Sequence, residues 1–367
     1  MRRYAAFLLP FAMAPALSLT MAPNAAADEI HLFNGKPKLD VIILGETFES
    51  ISYRTTKIRQ AQNVPADQVK EVVHETWPPK YQSGLELMGS LNYEGAALRF
   101  GAEAGNPSKK WVGQYARFNE AECYRALKKY DEALKAYEKL LKEDEKTRFY
   151  GDVFVKKMMC YQSKRDGGSA KKAMADLKAA VTSQGLPSRW NVVADYHVLR
   201  MEESKDAQKA FDAYMELQRR ASREGVKDIA NKARLRIGSV LVRQGKIDEA
   251  RDYFNDIIDD RQASDMATVA GAFNGLGSTF VAKTDPSTED WESALFAYGR
   301  AAFQYGEDLK AMGDSEMLPE ALYWVARALE VRTDNAETNA KRARVLYTRV
   351  LKEYASSPWA EKAVERM

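Results

Sequence analysis

The sequence predicts a mainly α-helical protein: an α-solenoid of about seven helix pairs over residues 77–367, preceded by a small β-rich module over 28–76 and a leader over 1–27. Three observations carry this reading. Strand-type alternation gives way to helical periodicity after "WPPK". Beyond that point one spacing of small and aromatic residues recurs about seven times. The 367-residue composition, 45% hydrophobic and 29% charged, is that of an ordinary folded chain with no bias toward disorder.

The leader comes first. Arg2 and Arg3 precede the uncharged run "YAAFLLPFAMAPALSLTMAP", and Ala25, Ala26 and Ala27 supply the small residues of a cleavage site before Asp28. The expectation is an exported protein, periplasmic or secreted, cut after Ala27. Prolines within the run weigh against a retained anchor, and no later stretch is long and apolar enough for a membrane span. The formal charge of +3 falls to 53 basic against 52 acidic residues once Arg2 and Arg3 are set aside. Those charges alternate and do not cluster, which argues against a nucleic-acid partner. Two cysteines, Cys123 and Cys160, cannot staple a chain of this size, so the core must hold itself.

Strand signals fill the next segment. "EIHLF" is followed by "NG", a hairpin signal; "LDVIILGE" is a second run, "FESISYRTT" alternates, and "VKEVVHE" closes the region, with "VPADQ" as a short turn. Four or five short strands need each other to bury a core. By strand order and turn placement the segment resembles a small SH3- or Sm-type barrel. Pro78 and Pro79 end it.

The helical region is organised by a repeat. In "ARLRIGSVLVRQGKIDEARDYFNDII" Gly238 is followed by Ala250, Phe254 and Ile257; the same steps give Ala121, Ala133, Tyr137 and Leu140. They return as Gly84, Ala96 and Phe100, with Glu103 in the last place, and as Asp195, Ala207, Phe211 and Tyr214. Copies with altered turns carry Ala173, Leu177 and Ala180; Gly277, Ala294, Tyr298 and Ala301; and Ala343, Tyr347 and Val350. Small residues let two antiparallel helices approach, and the aromatic fills the space toward the next pair. One such pair cannot bury its apolar side alone, so the pairs stack. These segments resemble tetratricopeptide repeats, although the key alanines stand farther apart than that family's period.

A search for chemistry finds little. His31, His74 and His197 have no partner at metal-ligand spacing and are read as surface or packing residues. "GAFNGLGS" has no preceding strand and no Gly-Lys-Ser/Thr, so Gly271, Gly275 and Gly277 are assigned to close helix contact. The expectation is a non-enzymatic protein with no cofactor and no metal. Equivalent positions on packed neighbouring helices lie beyond disulfide reach, so Cys123 and Cys160 are expected to be free.

What remains is surface. The resemblance implies that the first helices of successive pairs line a concave face where partner segments bind. Carried over by repeat spacing, that lining comprises Tyr115, Phe118, Glu122 and Arg125 on one helix and Met159 on the next. Arg189, Val192, Tyr196 and Arg200 follow, then Leu235 and Arg243, and finally Asn274. Aromatic residues and arginines are the types enriched in binding hot spots. The resulting expectation is an interaction scaffold or adaptor in a bacterial cell-envelope complex, with other envelope proteins as partners and homo-oligomerisation left open. The alternatives are binding of a glycan, peptidoglycan or exported polysaccharide, or service as the regulatory subunit of an envelope enzyme.

Overall fold

The computed structural model describes residues 28–32, 35–55, 57–107, 109–260, 265–307, 309, 317–355 and 357–367. The expected leader, and Asn34 of the "NG" turn, lie outside the described residues.

Five strands build the module: β1 (Asp28–Leu32), β2 (Lys38–Glu46), β3 (Ser50–Thr55), β4 (Gln62–Pro65) and β5 (Val69–Val73). They form one sheet in the order β4-β3-β2-β1-β5, antiparallel throughout. Alternation along the strands buries Ile30, Val41, Ile43, Ile51, Tyr53, Val64 and Val69 as a single small core. "VPADQ" is only partly a turn: Val64 and Pro65 end β4, and Ala66–Gln68 form a 3-10 turn. Proline is tolerated there because β4 is an edge strand. The β2–β3 register shifts between Ile43 and Gly45. That irregularity resets the alternation, so Glu46 faces inward and is only 3% exposed.

Fourteen helices then pair in chain order among the described residues. They are α1 (Pro79–Gly89) with α2 (Tyr93–Gly105), α3 (Lys110–Ala126) with α4 (Tyr130–Glu143), and α5 (Tyr150–Ser163) with α6 (Gly167–Gln184). Next come α7 (Arg189–Met201) with α8 (Ala207–Arg223), α9 (Lys227–Arg243) with α10 (Ile247–Asp259), α11 (Met266–Val281) with α12 (Thr288–Gly299), and α13 (Met317–Val331) with α14 (Ala336–Glu353). A short α15 (Pro358–Val364) packs on the last pair. Local sequence sets the starts. Pro79 stands in the first turn of α1, Asn92 and Asp265 cap α2 and α11 through backbone N–H groups, and Ser287 with Asp290 forms a capping box on α12.

Within a pair the predicted small residues mark the closest approach. A β-carbon added to Gly84 would stand 2.6 Å from the Phe100 ring, one on Gly238 2.5 Å from Phe254, and one on Gly277 2.6 Å from Tyr298. Ala96, Ala133, Ala173, Ala250, Ala294 and Ala343 are all buried. The fourth copy differs from the expected frame. Ala207 and Phe211 are only partly buried, whereas Ala210, Tyr214 and Leu217 are buried. The frame there is three residues later than the sequence spacing indicated, because Asp206 starts α8 by capping the N–H groups of Gln208 and Lys209.

The apolar interior is a succession of clusters strung along the pairs. The module joins that succession: Phe48, from the β2–β3 turn, packs in the cluster of Phe154, Met158 and Met174. Beside it, Thr47 and Thr147 form a β-bridge, and the Phe48 N–H donates to the Lys146 carbonyl at 3.1 Å.

Candidate functional site

First helices of neighbouring pairs touch along the stack, α7 on α9 and α9 on α11. This contact removes part of the predicted lining from solvent. Val192, Tyr196 and Leu235 lie together in one core cluster, at 0%, 6% and 2% exposure. Asn274, 4% exposed, donates from Nδ2 to Glu320 on α13 at 2.9 Å. These four are packing residues, a correction to their assignment as groove lining. The steps of three and four residues that mark one helical face also mark the side facing the next helix.

The accessible part of the face is held by ion pairs. Arg125 donates from Nη2 to Glu122 Oε2 at 2.9 Å, and Lys156 of the next pair reaches that carboxylate at 3.4 Å. The Tyr137 hydroxyl donates to Glu122 as well. Burial opposes ionisation of Glu122, but Arg125 and Lys156 outweigh it and hold the carboxyl below its ordinary range. Arg189 lies 3.8 Å from Asp228 of the following pair, and its guanidinium rests over the Trp190 ring. Arg200 and Arg243 converge on Glu203, at 3.8 Å and 2.7 Å. Phe118 is partly buried and stacks on Phe149 with ring centres 4.4 Å apart; Met159 is partly buried against the third pair's core.

Tyr115 turns the other way. Its hydroxyl donates to Glu46 Oε2 at 2.8 Å, and Arg148 donates from Nη1 to the same carboxylate and, at 2.6 Å, to the Tyr115 oxygen. Glu46 lies fully inside, and on its other side His74 Nε2 stands 2.8 Å from Oε1. His74 Nδ1 is 3.7 Å from Asp28 Oδ1, and the imidazole stacks on Trp111 at 4.2 Å. The side chain of Gln114 bridges the same joint: Nε2 donates to the Glu46 carbonyl at 3.0 Å, and Oε1 accepts from the Thr147 hydroxyl at 2.7 Å. His74 is thus a packing residue, as read from sequence, but one set in a charge cluster between sheet and helices. The spacing of the histidines gave no hint of it, since Asp28, Glu46, Tyr115 and Arg148 are remote in sequence.

The other titratable groups are simpler. His31 pairs with Glu29 at the surface. His197 is pushed down to about 4, by burial first and then by Lys232 and Arg200. Cys123 and Cys160 are free and buried, and burial pushes their thiols up to about 12 and about 11. Among the described residues, no group of three or more His, Cys, Asp or Glu is placed to hold a metal ion. No described helix is long and apolar enough to cross a membrane.

Two segments, 114–147 and 232–262, match models of the tetratricopeptide repeat. No curated protein sequence matches the chain. Similar solved structures include the C-terminal part of a TPR repeat-containing protein from Cytophaga hutchinsonii, 14% identical with a TM-score of 0.31, covering 78% of this chain and 98% of that one. BtubC from P. vanneervenii is 12% identical with a TM-score of 0.31, covering 76% and 92%. A TPR repeats protein from Bacteroides fragilis is 12% identical with a TM-score of 0.25, covering 74% and 97%.

Proposed function

We propose that this tetratricopeptide-repeat protein, a helical solenoid with an N-terminal β module, is a non-enzymatic interaction scaffold or adaptor in a bacterial cell-envelope complex. It holds an extended or helical partner segment, carrying acidic and apolar side chains, against its first-helix face. The scaffold class is what the repeat matches support. The envelope setting rests on the leader-type character of residues 1–27.

One observation carries the binding face: the arginines Arg125, Arg189, Arg200 and Arg243 keep 35%, 35%, 25% and 41% of their side chains exposed while each lies at ion-pair distance from a carboxylate. A guanidinium has five N–H donors, and the bonds of Arg125 to Glu122 and of Arg243 to Glu203 and the Ser204 carbonyl engage only two of them each, leaving donors for a partner's carboxylate. Oriented in advance, such a side chain loses less freedom on binding. The glycan alternative is weakened because Tyr115 and Tyr196 are withdrawn into the joint and the core, leaving Phe118 as the accessible ring of the predicted set.

The test replaces Phe118, Arg200 and Arg243 together by alanine and measures the affinity of partners first identified by cross-linking in cells. Binding should weaken by at least ~2 kcal/mol, because each residue is of a type that dominates interface energetics. Helix content should be unchanged. Unaltered affinity would exclude this face and shift attention to the module, whose Leu39 and Leu44 are 52% and 45% exposed.

A further inference from the structure

We propose that His74, set between Asp28 and Glu46, is a pH-sensitive latch: while charged, the imidazole holds Glu46 in place against Tyr115 and Arg148, and the joint of the β module with the second and third helix pairs loosens when it loses its proton. Every element around the imidazole contributes. Asp28 comes from β1, Glu46 from the end of β2, Tyr115 from α3 and Arg148 from the turn before α5; Trp77 and Trp111 pack on the ring. Glu75, next in the chain, donates its backbone N–H to Asp28 Oδ1 at 3.3 Å, and Ile43 donates to Oδ2 at 3.1 Å.

With His74 protonated the cluster is balanced, two carboxylates against one imidazolium and one guanidinium. Without that proton the cluster carries one net negative charge: Arg148 still pairs with Glu46, and the largely buried Asp28, 15% exposed, loses its counter-charge. A buried charge left uncompensated is costly. His74 stands 2.8 and 3.7 Å from its two carboxylates, and both contacts strengthen when the ring is charged and carries a proton on each nitrogen. A charged ring stacked on Trp111 gains a further cation–π attraction that the neutral ring lacks.

The acid and alkaline flanks follow from the direction of each shift. Burial alone would lower the His74 pKa, but contacts with Asp28 and Glu46 outweigh it and raise the value above the ordinary imidazole range. Its contribution is therefore complete below about 6.5, the ordinary value, and is lost as pH rises through the raised value. Burial opposes ionisation of Asp28 and Glu46 too, yet His74, with Arg148 at Glu46, lowers both. Their contribution is present above the ordinary carboxylate range and disappears as pH falls through the lowered values. The latch is tight between these limits and opens on the alkaline side.

What it releases is the joint. Glu46 is followed directly by Thr47, which bridges to Thr147, and by Phe48, which bonds Lys146 and enters the helical core. Arg148 precedes Phe149, stacked on Phe118, so the latch borders the proposed binding face, although it does not depend on what that face binds.

The test is an NMR pH titration of the histidine rings in the full chain, with hydrogen exchange of the peptide spanning Thr47 and Phe48 followed by mass spectrometry. The His74 ring should titrate above about 6.5, and Glu46→Gln should move that midpoint down. Across the midpoint, exchange at Thr47 and Phe48 should accelerate relative to reference amides in α9, by about tenfold for each unit the midpoint is raised. His74→Gln should abolish the step. If that variant does not fold, the unaltered chain decides alone. A midpoint at or below about 6.5, or exchange that tracks the α9 amides throughout, overturns the latch.

Discussion

Phe254 shows how one ring can govern the contact of three helices. A β-carbon on Gly238 would meet it at 2.5 Å and one on Gly275 at 2.2 Å, so α9 and α11 both close on a side chain from α10. The ring is fully buried, so moving it aside must displace its neighbours. Gly275→Ala should therefore cost about 1–3 kcal/mol by overpacking, and Phe254→Ala about 3–5 kcal/mol by leaving a cavity. Combining Gly275→Ala with Phe254→Leu should cost less than the sum, because the smaller side chain relieves the clash. Urea unfolding of the unaltered chain, Gly275→Ala, Phe254→Ala, Phe254→Leu and the double variant checks all three statements, and strict additivity would mean that the residues do not touch. The sequence spacing revealed Gly238 and Phe254 as partners and assigned Gly275 to close contact. It could not name the ring that Gly275 meets, since that contact crosses from one pair to the next.

At the scale of elements, five of the turns within pairs share one device. Leu91, Lys128, Arg165, Gly245 and Asn335 each adopt a left-handed backbone, with φ of 62°, 59°, 60°, 73° and 52°. Side-chain-bearing residues hold that conformation at a cost of roughly 1–2 kcal/mol, which glycine avoids. Lys128→Gly should accordingly stabilise the second pair by up to about 1 kcal/mol, and Gly245→Ala should destabilise the fifth by about 1 kcal/mol. Thermal unfolding midpoints that move in the same direction for both would contradict this. Element order was largely legible because helical periodicity, proline boundaries and caps act locally. The α8 frame was not, since Asp206 fixes its start by a cap that spacing alone does not weigh. Glu46 was not legible either. Strand alternation places it outward until the irregularity at Gly45 turns it in, and register between strands is a non-local property. The lining of the proposed binding face was not separable from packing for a similar reason: one helical stripe serves both solvent and the neighbouring pair.

Taken whole, the molecule is a line of cores, and its dimensions should show it. A compact domain of about 340 residues has a radius of gyration of about 20 Å; small-angle scattering of residues 28–367 should give a distinctly larger value, with a skewed distance distribution. A symmetric distribution near 20 Å would rule out an extended stack. The line is not uniform along its length. Phe48 reaches the core of the third pair while Glu46 is bonded to Gln114 and Tyr115 of the second, so the module ties two successive pairs from outside. Beyond α6, each described joint is bridged by the helices themselves, with no strand laid across it. The consequence is a gradient of stiffness. Bending should be concentrated past Trp190, where curvature can adapt to a load, while the splinted pairs keep a fixed shape and act as the reference against which the flexible end is aimed.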